Sequence, residues 1–354
     1  MNKNIVKKIV AISVVAFFPF ISIGCESNYE ADGHITHLNL RPVEHEDWPW
    51  PSSWYVGEVG VVASFGISAQ DLELGPYEHY YGIIEIEKAS DLLEASFGNY
   101  STHDFYYLFK IFLNYEAVPF RVLGQEEYET SFTFFLERGY QVDIPFVLDA
   151  EFVSENSTQK LTAVFIVDPS RDILNEENTR LFWGRNAFVL NNDLIVGSGS
   201  DFQFEAPTYI EILNRKEDDQ FVDLFVSSDF ELNEWGFVLF PELMMQARRG
   251  GEIELLFHSS PEKTFDHVLD NYLMIGILNG EQILLNGEPF LLVDVTGEEF
   301  DHIMDHGTFT IDAIDKVGFH DFIMILIPNP SLPNSRFNYF PLQSSNRLVI
   351  EIIE

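Results

Sequence analysis

Hydrophobic positions along the chain fall in short runs, at residues 56–65, 81–87, 107–113, 131–136, 141–148 and 160–167. Each run is rich in Phe, Val, Ile and Tyr, and each is bounded by Gly, Pro, Asn or Asp. Aromatic and β-branched side chains suit a pleated surface, and punctuation at this spacing predicts the strands of an antiparallel β-sandwich. Helical periodicity is scarce. Residues 89–97 match two helical turns, and 240–249 match a short helix stopped by Gly250-Gly251 or a strand approaching a turn. Residues 26–53 keep no period of 2 or 3.6 and are broken by Pro42, Pro49 and Pro51, which predicts a tether. Trp48, Trp50 and Trp54 with Tyr55 crowd its end. Their expected role is to close the first domain's core; a stacking platform for a sugar ring is the alternative.

An internal repeat organises the rest. YLFKIFLNYEAV, starting at Tyr107, aligns without gaps on YLMIGILNGEQI, starting at Tyr272, and Tyr, Leu, Leu, Asn and Glu recur at matching places. At about one chance match in twenty positions, five in twelve is an excess. QKLTAVFIVDPS from Gln159 matches HDFIMILIPNPS from His320, and Thr179-Arg180-Leu181 matches Asn346-Arg347-Leu348. The expectation is two copies of one all-β domain, at 55–200 and 201–354, with the boundary in 191–206 and Gly197-Ser198-Gly199-Ser200 as a flexible joint. Arg138-Gly139 also matches Arg249-Gly250 ahead of a strand, but a turn into a strand recurs throughout all-β folds. Tandem domains of this pattern resemble immunoglobulin-like and fibronectin type III-like sandwiches of bacterial surface lipoproteins. That resemblance implies a fold and carries no function with it.

The N-terminus reads as an address. Lys3, Lys7 and Lys8 precede an apolar run of about 15 residues, short of the roughly 20 that a membrane-spanning helix needs, and Gly24 precedes the single cysteine. Ser22-Ile23-Gly24-Cys25 resembles the lipobox of bacterial lipoproteins, with Ile21 one place earlier than the branched aliphatic usually stands. The resemblance implies removal of residues 1–24, a diacylated Cys25, a lipidated tether over 25–54 and an extracytoplasmic place on the cell membrane. An ordinary signal peptide followed by a chance cysteine is the plain alternative.

Composition narrows the partners. The 354 residues carry 20 Lys and Arg against 57 Asp and Glu, so the cationic contacts that dominate nucleic-acid affinity have few donors and no nucleic-acid partner is expected. Without the three signal lysines the net charge falls from -37 to about -40, spread evenly over the chain. Even spreading fits adaptation of the whole surface better than one cation-binding patch.

Candidate chemistry is thin. Asp301-His302 and Asp305-His306 give a His-x-x-x-His spacing for zinc, placed in an expected loop, where solvated side chains are the plainer reading. His34 and His37 in the tether are weaker candidates. Asp168, Asp172, Glu176 and Glu177, with Arg171, Asn175 and Asn178 nearby, concentrate oxygen ligands for calcium, but without the glycine and spacing of a helix-loop-helix site. No nucleophile elbow or phosphate-binding loop is present, so no catalytic residue and no cofactor is expected, although paired carboxylates are inevitable among 57 acids. The sequence thus predicts a lipid-anchored, non-catalytic binding or presentation module for a surface protein or glycan ligand. A structural envelope spacer is the alternative, and a glycan-active enzyme the third reading.

Overall fold

The computed structural model describes residues 38–42, 63–69, 82–99, 104–167, 187–199, 202, 209, 210, 212, 214–217, 224–232, 238–241, 243–259, 269–295, 303–332 and 342–354. Among these every regular element is a strand. The first half contributes β1 (Asn39–Pro42), β2 (Ala63–Ala69), β3 (Ile83–Ile86), β4 (Leu93–Asn99), β5 (Phe105–Leu113), β6 (Glu116–Ala117), β7 (Phe120–Val122), β8 (Phe132–Leu136), β9 (Tyr140–Leu148), β10 (Thr158–Val167) and β11 (Ala187–Val196). The second contributes β12 (Asn214–Glu217), β13 (Phe225–Ser227), β14 (Phe230–Leu232), β15 (Val238–Pro241), β16 (Met244–Arg248), β17 (Ile253–Ser259), β18 (Asn271–Leu278), β19 (Glu281–Ile283), β20 (Leu291–Asp294), β21 (Ile303–Ile311), β22 (Gly318–Pro328), β23 (Gln343–Ser344) and β24 (Leu348–Ile353).

Strand order repeats between the halves. The outer sheet β1-β9-β4-β2 of the first half corresponds to β12-β21-β17-β13 of the second. The inner sheet β3-β11-β10-β5-β6, with β8 also on β5, corresponds to β16-β24-β22-β18-β19, with β20 also on β18. Direction repeats too: β3 runs parallel to β11 and β16 runs parallel to β24, whereas the other pairings within these sheets are antiparallel. Two facing sheets with strands switching between them make each half an immunoglobulin-like sandwich. The long sequence match lies on equivalent pieces, β5-turn-β6 and β18-turn-β19.

The turns themselves are equivalent. Asn114 and Asn279 adopt φ of 50° and 51°, the left-handed region that Asn tolerates better than most residues. Asn114 Oδ1 accepts from the Lys160 amide at 3.0 Å, and Asn279 Oδ1 accepts from the Asp321 amide at 2.9 Å. Lys160 and Asp321 are aligned by the second sequence match. The third match fails. Leu348 stands opposite Phe322, and Asn192 opposite Leu161, so β24 corresponds to β11 and residue 348 to residue 192. Arg347 therefore aligns with Asn191, and residues 179–181 lie outside the described residues.

Alternation sorts each inner strand into two faces. From β5, Tyr107, Phe109, Ile111 and Leu113 enter the first core, while Leu108 and Phe112 point the other way. From β22, Phe322, Met324 and Leu326 enter the second core, and Ile323, Ile325 and Ile327 face outward from it. The two outward faces meet in a third apolar layer, with Leu108, Phe112, Tyr115, Val164 and Ile166 from the first half packed on Leu273, Ile275, Phe290 and the three isoleucines from the second. Each such side chain contributes about 1.5–3 kcal/mol on burial. Residues 35–354 accordingly form one compact unit.

Several sequence expectations change. The helix expected over 89–97 is mostly β4, whose Leu93, Ala95 and Phe97 are buried at period 2, and 240–249 is the end of β15 followed by β16. The tether contributes β1, which pairs with β9 and ends at Pro42, where a proline is tolerated because the strand lies at a sheet edge. Of the expected joint, residues 197–199 are tied to the first sandwich, and Ser200 lies outside the described residues. β11 continues to Val196, Gly197 donates to the Ile86 carbonyl at 2.8 Å, and Ser198 Oγ bonds Asn156 Oδ1 at 3.1 Å.

Candidate functional site

Two polar constellations stand out. The first crosses the layer between the halves. Lys110, fully buried on β5, reaches Glu281 at 3.0 Å; Gln282 Oε1 accepts from the Ala117 amide at 2.6 Å, and its Nε2 donates to the Tyr115 carbonyl at 2.9 Å. Tyr115 OH donates to the Pro330 carbonyl at 2.7 Å. Two buried ion pairs add a reciprocal link. Lys160, paired with Asp193 at 2.5 Å, donates to the Leu332 carbonyl of the second half, and Arg347, beside Asp321 at 3.0 Å, donates to the Val167 carbonyl of the first. Burial lowers the pKa of Lys110 and Lys160 despite the carboxylates beside them, and burial raises that of Tyr115 well above the ordinary phenol. These bonds join the two halves, and the arrangement works as an adhesive.

The second constellation belongs to one end of the second sandwich. His258 and Ser259 close β17, and register places His258 opposite His306 and Ser259 opposite Asp305 on β21. Adjacent residues face opposite ways, so the strands sort the four side chains into two pairs. On the core side, Arg215 clamps Asp305 through Nε at 2.7 Å and Nη2 at 2.9 Å. Tyr272 OH donates to Asp305 Oδ2 at 2.8 Å and accepts from Ser259 Oγ at 3.0 Å. Burial, then the Asp305 charge, holds the Tyr272 phenol well above its ordinary pKa. This group is a satisfied, bidentate ion pair closing the sandwich end.

On the outer side, His258 Nδ1 lies 3.2 Å from His306 Nδ1 and 3.0 Å from Nε2, with ring centroids 4.3 Å apart. Phe225 on β13 flanks His258. His258 is buried and His306 half-buried. Burial first, and then His306, push the His258 pKa down to about 3.

The repeat supplies a control. Strands β4 (LEASFGN) and β17 (IELLFHS) pair with β9 and β21 over matching seven-residue ladders. Gly98 and Gln141 then occupy the places of His258 and His306, and Asn99 and Tyr140 those of Ser259 and Asp305. Tyr107 matches Tyr272. The scaffold is shared, and the histidines and the Asp305 carboxylate are private to the second half.

The expected loop around His306 is strand β21, because Phe309 and Ile311 supply the buried alternation of an inner face. His306 thus stands on a strand, and its partner in the His-x-x-x-His spacing lies outside the described residues. Asp301 and His302 lie outside the described residues, as do Cys25, His34, His37, the three tether tryptophans and the acidic loop of Asp168, Asp172, Glu176 and Glu177. Among the described residues, no group of three or more His, Cys, Asp or Glu side chains converges on one point. Sequence reasoning missed His258, because its partner is 48 residues away and only strand register brings them together.

No family model matches the chain, and no curated protein matches it. Among solved structures, it is similar to a red sea bream transglutaminase at 7% identity and a TM-score of 0.22, over 83% of this chain and 31% of that one. The chain thus spans about a third of that enzyme's length. It is also similar to the C-terminal domain of the Streptococcus pyogenes antigen I/II-family protein AspA at 8% identity and a TM-score of 0.23, covering 82% and 99% of the two chains. The N-terminal domain of PorA gives 13% identity and a TM-score of 0.23 over 39% of this chain and all of that one. The class assigned here, a tandem immunoglobulin-like β-sandwich protein, rests on strand pairing.

Proposed function

We propose that the protein is a lipid-anchored, extracytoplasmic binding or presentation module without catalysis, held to the membrane through acylated Cys25. The supporting observation is the apolar layer between the halves. Linked sandwiches offer a catalytic cleft at their junction or among their loops, and here the junction is filled by packed side chains and crossed by buried ion pairs. A rigid double sandwich presents its loops and outer sheets at a fixed geometry, which suits capture or display of a surface protein or glycan. The strongly acidic body is repelled by anionic lipid, so the acyl chains are the membrane contact.

The test is fractionation of cells expressing the full chain and its Cys25→Ser variant, with intact mass of the extracted protein. The expected result is acylated protein in the membrane fraction and release of the variant. Intact protein without acyl chains, or a variant that stays in the membrane, overturns the anchor.

A further inference from the structure

We propose that His258 and His306 form a two-imidazole binding site for a divalent cation of the zinc type on the outer sheet of the second sandwich. Three observations carry this. The first is distance: two nitrogens each about 2.0–2.1 Å from one tetrahedral zinc ion are about 3.3 Å apart, and the rings place nitrogens 3.0 and 3.2 Å apart. The rings now meet edge to face, at 62° between their planes, so chelation requires the half-buried His306 ring to turn about its Cβ–Cγ bond until one of its nitrogens faces the same point as His258 Nδ1.

The second is rigidity. The residues are direct partners in an antiparallel ladder that continues on both sides, so strand pairing fixes their backbones. Phe225 packs beside His258. Little conformational freedom remains for a cation to remove. The third is divergence between the copies. Gly98 and Gln141 stand at these positions in the first sandwich, so the ladder folds without histidines there.

Ligand chemistry selects the metal. Imidazole suits Zn2+, Ni2+ and Cu2+, while Ca2+ and Mg2+ take oxygen ligands. Asp305 is committed on the opposite face to Arg215 and Tyr272. Two protein nitrogens are one fewer than the three that hold an open zinc site, so water or a donor from a bound partner fills the remaining positions.

The test is calorimetric titration of the full chain with ZnCl2, and with CaCl2 at matched ionic strength, beside His306→Gln. Glutamine is chosen because it stands at the equivalent place in the first sandwich, and His306 is half-buried, so the variant is expected to fold. A parallel 15N spectrum of the histidine side chains reports which rings move. The expected result is one zinc per chain, at least tenfold weaker binding in His306→Gln, and zinc-dependent shifts of both rings, with no response to calcium. Equal zinc affinity in the variant assigns binding to the other histidines and overturns the proposal. Absence of binding to the parent chain at millimolar zinc also overturns it.

Discussion

Phe112→Ala tests whether the halves fold as one body. Phe112 is fully buried on the face of β5 that meets the second half. Removing a buried Phe side chain costs about 3–5 kcal/mol. If residues 35–354 unfold together, the entropy of unfolding is about 0.7 kcal/mol/K at roughly 2.1 cal/mol/K per residue, and the melting temperature falls by about 4–7 °C in one transition. If the halves unfold separately, the first half alone absorbs the loss. Its melting temperature then falls by about 9–15 °C while the second half keeps its own transition. Hydrogen exchange locates the effect. In the coupled case, the slowest amides of β18 and β22 exchange about 10²–10⁴ times faster, because their opening includes loss of the shared layer. Calorimetry and exchange on the same sample check this. Unchanged exchange in β18 and β22, with acceleration in β5 and β10, refutes the coupling.

Lys160→Met leaves Asp193 buried without its cation and removes the link to Leu332; the expected cost is about 3–5 kcal/mol in chemical denaturation. The double variant Lys160→Met, Asp193→Leu recovers most of that loss, and a double variant no better than the single one contradicts the desolvation argument. The dispersed negative charge predicts that the melting temperature rises with NaCl, since the screening length shrinks from about 30 Å at 0.01 M to about 3 Å at 1 M. Calcium at matched ionic strength adds nothing in this picture. A larger, saturable calcium effect would point to a specific site and direct attention to the loop from Asp168.

Strand positions were largely legible because most inner strands are uninterrupted apolar runs. Their continuity, KLTAVFIV and FIMILIP rather than strict alternation, was itself a sign of burial on both faces. Read as ordinary sandwich strands joined by a flexible link, the same runs left the third apolar layer unforeseen. LLEASF satisfies both the helical and the strand period over so few residues, and pairing with β2 and β9 decides for strand β4. The Asn114 and Asn279 match is structural, because each turn requires the same positive φ and the same acceptor for a strand amide. The histidine pair stayed hidden because cross-strand register is a property of the ladder and leaves no spacing rule in one chain.

Two copies that share a topology must still choose each other over a second molecule, and the turns after β5 and β18 show how. The first half has Tyr115 at φ 73°, inserted under Phe290, where the second has Gly280 at φ 80°. A Cβ on Gly280 would lie 2.6 Å from Leu108 Cδ2 of the first half. Pairing two first-type faces would force a Tyr into the space that Leu108 needs, whereas pairing unlike faces fills one side with Tyr115 and leaves the other open. Gly280→Ala measures this. Its expected cost is about 1–2 kcal/mol for a non-glycine residue in left-handed backbone and about 1–3 kcal/mol more for crowding Leu108. Gly287→Ala is the control, at φ 81° with nothing within 4 Å of its Cβ, so it carries the backbone cost alone. Leu108→Ala in the Gly280→Ala background should be far less costly than in the parent chain, because the two substitutions share one contact. Urea titrations of the four variants give the comparison. Equal costs for the two glycine substitutions, or additive effects of Gly280→Ala and Leu108→Ala, would show that this contact does not set the pairing of the halves.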